Sequence, residues 1–407
     1  MPHNAVPPTP AFVIDLPALN QLLGDFQGAL EKHWPNSILS YSFKTNSLPW
    51  LVSYMRTQNV WAEVVSDTEY ELALALDYTA DQVIYNGPIK SRDRLRSALL
   101  EGSIVNLDAK REIEWTAELA REMPDKDFGV GLRVNWELEE YCPGESGAHG
   151  EASRFGFDRK NGELDQAIAD LKDAGVRVAG IHLHRASTTQ SLGVFRAVAT
   201  VAAELIAAHD LHLDWVDVGG GFFGSLDRSP SFDEYVSTIK EVLEPVVDIN
   251  HTRLIVEPGG ALVAVPLEFH ASVIDVKEID SETIVVTDAS RTNIDPLFRR
   301  KRPFKTSLET KSTELRDEQV IVGFTCMEDD RIMKLENAPA LEVGDTITFY
   351  IVGGYTMSFQ PLFIQFLPPV YVRDNDSLTP VRRQWGVNDF LQGNEWIGAD
   401  GTTAGSF

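Results

Sequence analysis

The stretch Leu164-Asp165-Gln166-Ala167-Ile168-Ala169-Asp170-Leu171-Lys172-Asp173-Ala174-Gly175 runs almost directly into Val178-Ala179-Gly180-Ile181-His182-Leu183-His184. Leu164, Ile168, Leu171 and Ala174 recur at the spacing of one helical face, and Gly175 stands where a helix ends. The apolar run behind it reads as a strand. The same order repeats on both sides. Strand candidates at Val60–Val65, Val83–Tyr85, Ile104–Leu107, Gly129–Val134, Trp215–Val218 and Arg253–Glu257 are separated by helical stretches such as Val194–His209. This alternation predicts a parallel α/β architecture, and its length of roughly 230 residues suits a TIM-like (β/α) barrel. Periodicity alone leaves a doubly wound sheet as the alternative.

Beyond residue 260 the texture changes. Leu267–Val276, Thr283–Asp288, Glu318–Gly323 and Asp345–Ile351 are β-branched or aromatic runs broken by turns such as Val343-Gly344-Asp345. We therefore expect a barrel over residues 26–260 and a β-rich domain built from 1–25 and 261–407. The early strand around Val13 is expected to join the latter.

The 407 residues are 43% hydrophobic and 24% charged, an ordinary globular composition with room for about two cored domains. Sixty-one acidic against 36 basic residues give a formal charge of −25, which disfavours nucleic acid and anionic membranes as partners. No run approaches the roughly 18 apolar residues of a membrane helix. With two cysteines, Cys142 and Cys326, and no signal-peptide pattern after Met1-Pro2-His3-Asn4, the expectation is a cytoplasmic protein with free thiols.

In such barrels functional groups gather at the carboxyl ends of the strands. Tyr41-Ser42-Phe43-Lys44-Thr45-Asn46 closes the strand candidate at Ile38-Leu39 and places a lysine there. A desolvated amine loses its proton more readily and can form a Schiff base with an aldehyde cofactor, although most lysines at strand ends are solvated surface charges. Asp217-Val218-Gly219-Gly220-Gly221-Phe222 puts three glycines after a strand, where backbone amides can cradle a phosphate; a plain glycine turn is the bland reading. His182 and His184, two apart, point to one face of their strand, as metal ligands do. No neighbouring cysteine or carboxylate in the sequence completes a metal set, and a hydrogen-bonded core histidine is equally consistent. Glu257-Pro258-Gly259-Gly260 ends another strand with a carboxylate suited to a pyridinium nitrogen.

Together these motifs resemble the fold-type III pyridoxal-phosphate decarboxylases, the ornithine and diaminopimelate decarboxylases with their alanine-racemase-like barrel and β domain. The resemblance rests on YSFKTN, Ser66–Glu69 (SDTE), Ser153–Gly156 (SRFG), HLHRAS, DVGGGF, EPGG, GFTCMEDD and GGYT in order. It implies pyridoxal 5'-phosphate held by Lys44 as a Schiff base, with His184 stacked on the ring and Glu257 at the pyridine nitrogen. Ser187, the amides of Gly219, Gly220 and Gly221, Gly259 and Gly260 and the hydroxyl of Tyr355 would surround the phosphate. Glu63 stands where the family has an acid near the lysine, and Arg133 and Glu69 occupy further polar positions. Cys326, entering from the partner subunit of a homodimer with shared sites, would return a proton to the α-carbon. Glu257 argues for decarboxylation over racemisation, because a racemase of this fold pairs the ring nitrogen with an arginine.

Three departures bear on substrate and cofactor. Gly260 replaces the family's phosphate-binding arginine, and Arg185, where the family is aliphatic, is the expected replacement. Met327, beside Glu328, follows the thiol where diamino-acid decarboxylases carry an acid for the distal ammonium, which a thioether cannot pair. Phe363-Ile364-Gln365-Phe366 replaces Phe-Asn-Gly-Phe. With the basic segment Arg291 and Arg299-Arg300-Lys301-Arg302, suited to carboxylates, Met327 suggests a carboxylate-rich conjugate of the siderophore type as the small-molecule substrate. The alternatives are a simple diamino acid (ornithine, lysine or diaminopimelate), a racemase, or a non-catalytic relative that binds a protein partner.

Overall fold

The computed structural model describes residues 7–147, 151–224, 230–397 and 403–406. The chain divides into two compact units, Asn20–Val263 and Met1–Leu19 with Ala264–Phe407. Strand β1 (Ala11–Asp15) belongs to the second. The first unit carries β2 (Ser37–Ser42), β3 (Trp61–Val64), β4 (Val83–Tyr85), β5 (Ile104–Leu107), β6 (Gly129–Asn135), the two-residue β7 (Phe157–Asp158), β8 (Arg177–His182), β9 (Trp215–Asp217) and β10 (Arg253–Val256).

Eight of these run parallel in the order β5-β4-β3-β2-β10-β9-β8-β6, and β5 pairs with β6, so the sheet closes. That pairing excludes the doubly wound alternative. The strands are short apolar runs buried along nearly their whole length, as strands enclosed by a ring of helices must be. Ile38, Ile84, Ile104, Ala179, Trp215 and Ile255 form one cluster of the barrel core.

Local chemistry sets the connections. Ser66 Oγ accepts from Glu69 N at 3.2 Å, while Glu69 Oε2 accepts from Val65 N at 2.8 Å, so much of the SDTE motif is a helix start. Ser231 and Glu234 cap the helix Phe232–Leu243 in the same manner. The helix Leu192–His209 is long and apolar enough to cross a membrane, contrary to the reading of the linear sequence. Half of it is buried within the protein, and it packs on Phe232–Leu243, with Arg196 pairing Glu241 at 2.9 Å and Glu204 pairing Arg159 at 2.8 Å. It is a core helix of the barrel unit.

The second unit is built on a nine-stranded sheet. It contains β11 (Leu267–Ile279), β12 (Glu282–Thr287), β13 (Thr306–Glu309), β14 (Leu315–Val322), β15 (Arg331–Pro339), β16 (Thr346–Tyr350), β17 (Val370–Asp374) and β18 (Ser377–Arg382). As expected, β1 joins it, antiparallel to β11 and parallel to β17. Arg373 fixes that junction by pairing Glu268 and, at 3.1 Å, Asp15. The segment after Arg373 forms β18 and the short helix Val387–Leu391.

Candidate active site

Lys44 sits in a single 3-10 turn, Phe43–Thr45, that leaves β2. Its Nζ lies 2.7 Å from Glu63 Oε2 on β3 and donates to Ser42 Oγ at 2.7 Å, and Ser42 Oγ donates to the same Glu63 oxygen at 2.5 Å. Glu63 is buried, its side chain 1% exposed, whereas Lys44 is 41% exposed. A buried carboxylate is thus matched by a reachable amine, and it is the nearest group able to hold a proton for that amine.

An amide network continues from this pair across the barrel. Asn86, following β4, donates through Nδ2 to Glu63 Oε1 (3.1 Å) and to Glu257 Oε1 (2.6 Å). Its Oδ1 accepts from Asn106 Nδ2 (2.8 Å), which also reaches Asp217 Oδ2 at 3.0 Å. Asn86, Asn106, Asp217 and Glu257 are all buried. Burial and the adjacent Glu257 carboxyl hold Asp217 well above the usual carboxylate range.

His182 and His184 both face this network. His182 Nε2 accepts from Arg133 Nη1 at 2.8 Å, so the same nitrogen, 3.4 Å from Glu257 Oε2, has no proton to give that carboxylate. Burial, reinforced by Arg133, holds His182 well below its ordinary value. The same causes, with Lys44, lower His184 to about 3, so its ring is neutral. His184 Nδ1 donates to the Gly220 carbonyl (3.2 Å), and Arg133 donates to the His184 carbonyl.

Contrary to the sequence expectation, His182 does have carboxylates beside it. Folding brings Asp217 and Glu257 from neighbouring strands beside His182, with candidate ligand atoms within 4.8 Å of one another, a set that sequence proximity did not reveal. These groups already engage Arg133, Asn86 and Asn106, which is the chemistry of a hydrogen-bonded network.

The glycine turn follows β9. Gly219 and Gly221 have φ of +72° and +91°; a Cβ on Gly219 would lie 2.3 Å from His184 Cβ, and one on Gly220 2.4 Å from the Glu257 carbonyl oxygen. Gly219 and Gly220 therefore have no room for side chains, Gly221 is held to glycine by its φ, and the turn presents backbone beside the His184 ring. At Gly259 a Cβ would meet Thr45 Oγ1 at 2.0 Å, whereas at Gly260 it would meet nothing within 4 Å. Ser187 Oγ accepts from Gln190 N (3.2 Å). Arg185 reaches Glu137 at 3.4 Å and Asn135 at 3.5 Å, partners on the segment around the end of β6.

A reachable amine, a neutral imidazole, a buried carboxylate and a glycine cradle fit pyridoxal phosphate. Family models for the pyridoxal-binding domain and the C-terminal sheet domain of pyridoxal-dependent decarboxylases match residues 21–264 and 268–353. The chain belongs to the pyridoxal-dependent decarboxylases. The decarboxylase is 25% identical over 94% of its length to a probable chloroplastic diaminopimelate decarboxylase of Oryza sativa, 79% of which is covered. It is 24% identical over 96% of its length to the diaminopimelate decarboxylase of Zymomonas mobilis, covering 94% of that protein. Its fold is that of the Helicobacter pylori diaminopimelate decarboxylase complexed with L-lysine, with a TM-score of 0.80 at 20% identity, covering 95% and 96% of the two chains. The Selenomonas ruminantium lysine decarboxylase superposes with a TM-score of 0.71 at 20% identity, covering 91% and 93%. The decarboxylase is a carboxy-lyase whose cofactor is pyridoxal phosphate.

The remaining expected residues lie in the sheet unit. Exposed Cys326 occupies the turn between β14 and β15 with half-buried Met327 and exposed Glu328. Buried Asp330 organises that turn, accepting from Thr325 Oγ1 (2.7 Å) and Arg291 N (2.8 Å). The Arg291 guanidinium is clasped by Asp295 at 2.5 and 3.2 Å. Tyr355 is exposed in a left-handed conformation, φ +57°.

Sequence reasoning passed over Ser42, Asn86 and Asn106, and treated Asp217 only as part of a turn motif. The available signal was one polar residue at or near the end of each short apolar strand, in Asn86-Gly87-Pro88 and in Val105-Asn106-Leu107.

Proposed function

We propose that this enzyme removes the α-carboxylate of a diamino acid. The observation that carries the reading is the Glu63–Asn86–Glu257 chain, which links the lysine amine to the carboxylate expected at the pyridine nitrogen. Bound pyridoxal phosphate supplies an electron sink for the bond that breaks as carbon dioxide departs. Lys44 would hold the cofactor and Glu63 would manage the proton of its amine. Glu257 would face the ring nitrogen, neutral His184 would support the ring, and Gly219–Gly221 with Ser187 would hold the phosphate. The pair of electrons left on the α-carbon takes a proton from the thiol of Cys326, supplied by the partner in a homodimer.

The diamino-acid assignment displaces the carboxylate-rich conjugate of the siderophore type. Relatives across nearly the whole chain carry the name diaminopimelate decarboxylase, and Arg291, the leading arginine of the conjugate argument, already has Asp295 as its counter-ion. The test measures carbon dioxide release from meso-diaminopimelate, L-lysine and L-ornithine by the cofactor-loaded enzyme, alongside chiral chromatography of the amino acid that remains for newly formed stereoisomers. Release from one of these without racemisation is expected; racemisation alone would overturn the reading.

A further inference from the structure

The site as described makes no use of Lys90, yet its side chain is wholly buried, 0% exposed, as is that of Glu112 on the helix Lys110–Glu122. Its Nζ donates to the Gly87 carbonyl (2.7 Å), the Asn106 carbonyl (3.0 Å) and Glu112 Oε2 (3.1 Å). An ammonium group has three protons, and these three acceptors take them all. The Tyr85 ring faces it, its centroid 5.4 Å from Nζ.

Two of the three acceptors belong to the backbone of the amide network. Gly87 directly follows Asn86, and Asn106 is the next link, its Nδ2 donating to Asn86 Oδ1. The turn at Gly87 is tight: its φ is +88°, and a Cβ there would lie 2.2 Å from the Val65 carbonyl oxygen. Asn86 N donates to the Val64 carbonyl at 2.8 Å. The chain at the end of β3 thus fixes one edge of the Asn86-Gly87 turn, and Lys90 ties the turn to β5. Glu112 Oε2 also accepts from Asp108 N at 2.8 Å, so the counter-charge is itself held. Burying two charges is costly, and apolar side chains would fasten a turn to a helix at lower cost; what they cannot do is donate to two carbonyls at once.

We propose that Lys90 is a positioning residue of the decarboxylase: by holding the Gly87 and Asn106 carbonyls it sets the two asparagines in register, and so fixes the Asn86 amide between Glu63 and Glu257. Glu112 serves only as its counter-ion. The inference rests on the decarboxylase reading for its kinetic readout and extends the site to a residue outside it.

The test compares Lys90→Met, which keeps the length and removes every donor, with Glu112→Gln and with the two combined. Each is read by urea denaturation without cofactor and by kcat and KM for carbon dioxide release with cofactor. The third readout is the Trp215 indole N–H resonance of the cofactor-free protein, since Trp215 Nε1 donates to Asn106 Oδ1 at 3.3 Å. Lys90→Met is expected to lose stability, to shift the Trp215 resonance and to lower kcat about tenfold or more with KM within about twofold. The combined variant leaves no unpaired buried charge and should regain most of the stability, but neither kcat nor the resonance. Glu112→Gln leaves an uncharged amine with two protons for the two carbonyls, so kcat should stay within about twofold and the resonance in place although stability falls.

Recovery of kcat along with stability in the combined variant would overturn the proposal, because Lys90 would then matter only as a charge partner. So would a kcat that falls in Glu112→Gln as far as in Lys90→Met, the comparison that decides if the combined variant does not fold. The Trp215 resonance needs no turnover, so it tests Lys90 even where the diamino-acid reading fails. Failure here leaves carbon dioxide release by the wild type intact.

Discussion

Lys44 Nζ and Glu63 Oε2 stand 2.7 Å apart, an ion pair from the turn that leaves β2 to the neighbouring strand β3 in which the carboxylate is buried and the amine reachable. Glu63→Gln keeps the shape and removes the charge. We expect kcat to fall by roughly 10²-fold, the scale of a lost proton-handling group, while the protein still takes up cofactor. Steady-state kinetics with cofactor absorbance checks both halves.

Asn86 keeps Glu63 and Glu257 apart by donating to each. Asn86→Asp would place a third carboxyl between them and should destabilise the fold by about 3 kcal/mol; Asn86→Ala, which strips a donor from two buried carboxylates, should cost about 2 kcal/mol. Urea denaturation of the cofactor-free protein measures both.

His184 titrates at about 3 in the fold against 6.5 unfolded. Below 6.5 the unfolded chain binds a proton that the folded ring refuses, so stability present above that pH is lost as pH falls toward 3, by up to about 1.4 kcal/mol per unit. Asp217 acts oppositely: its raised value makes stability fall as pH climbs above 3.8. Unfolding of His184→Asn should therefore be less acid-sensitive than wild type. Asp217→Asn should lose less stability as pH rises.

Gly220 and Gly260 make opposite predictions. Gly220→Ala drives a methyl into the Glu257 backbone and should cost about 2 kcal/mol or more together with cofactor affinity. Gly260→Ala meets open space and should change stability by less than about 0.5 kcal/mol. Thermal melts with and without cofactor separate the two.

Lys44→Ala and Cys326→Ser are each expected to be nearly inactive. If Cys326 comes from the partner subunit, unfolding and refolding the two together should regain roughly a quarter of wild-type activity by random pairing. No regain would place Cys326 outside the shared site.

The barrel was legible because its strands are short apolar runs and its helices keep one apolar face, as in Leu164, Ile168 and Leu171. Lys44, Glu257 and the glycine turn were legible because strand ends concentrate chemistry. The roles of Asn86, Asn106 and Asp217 were not. Each of these three takes partners 20 to 171 residues away in the chain, a relation that only barrel closure creates. For the same reason the carboxylates beside His182 escaped a search along the chain. Arg291 misled in the opposite direction, because its counter-ion Asp295 lies one helical turn away and was not weighed.

The most direct test of the central claim is borohydride reduction of the pyridoxal-phosphate-loaded protein, with the labelled peptide mapped by mass spectrometry. A reduced pyridoxyl group on Lys44, lost in Lys44→Ala, is the predicted result. A label on another lysine, or a protein that stays colourless and unlabelled with Lys44 intact, would contradict it.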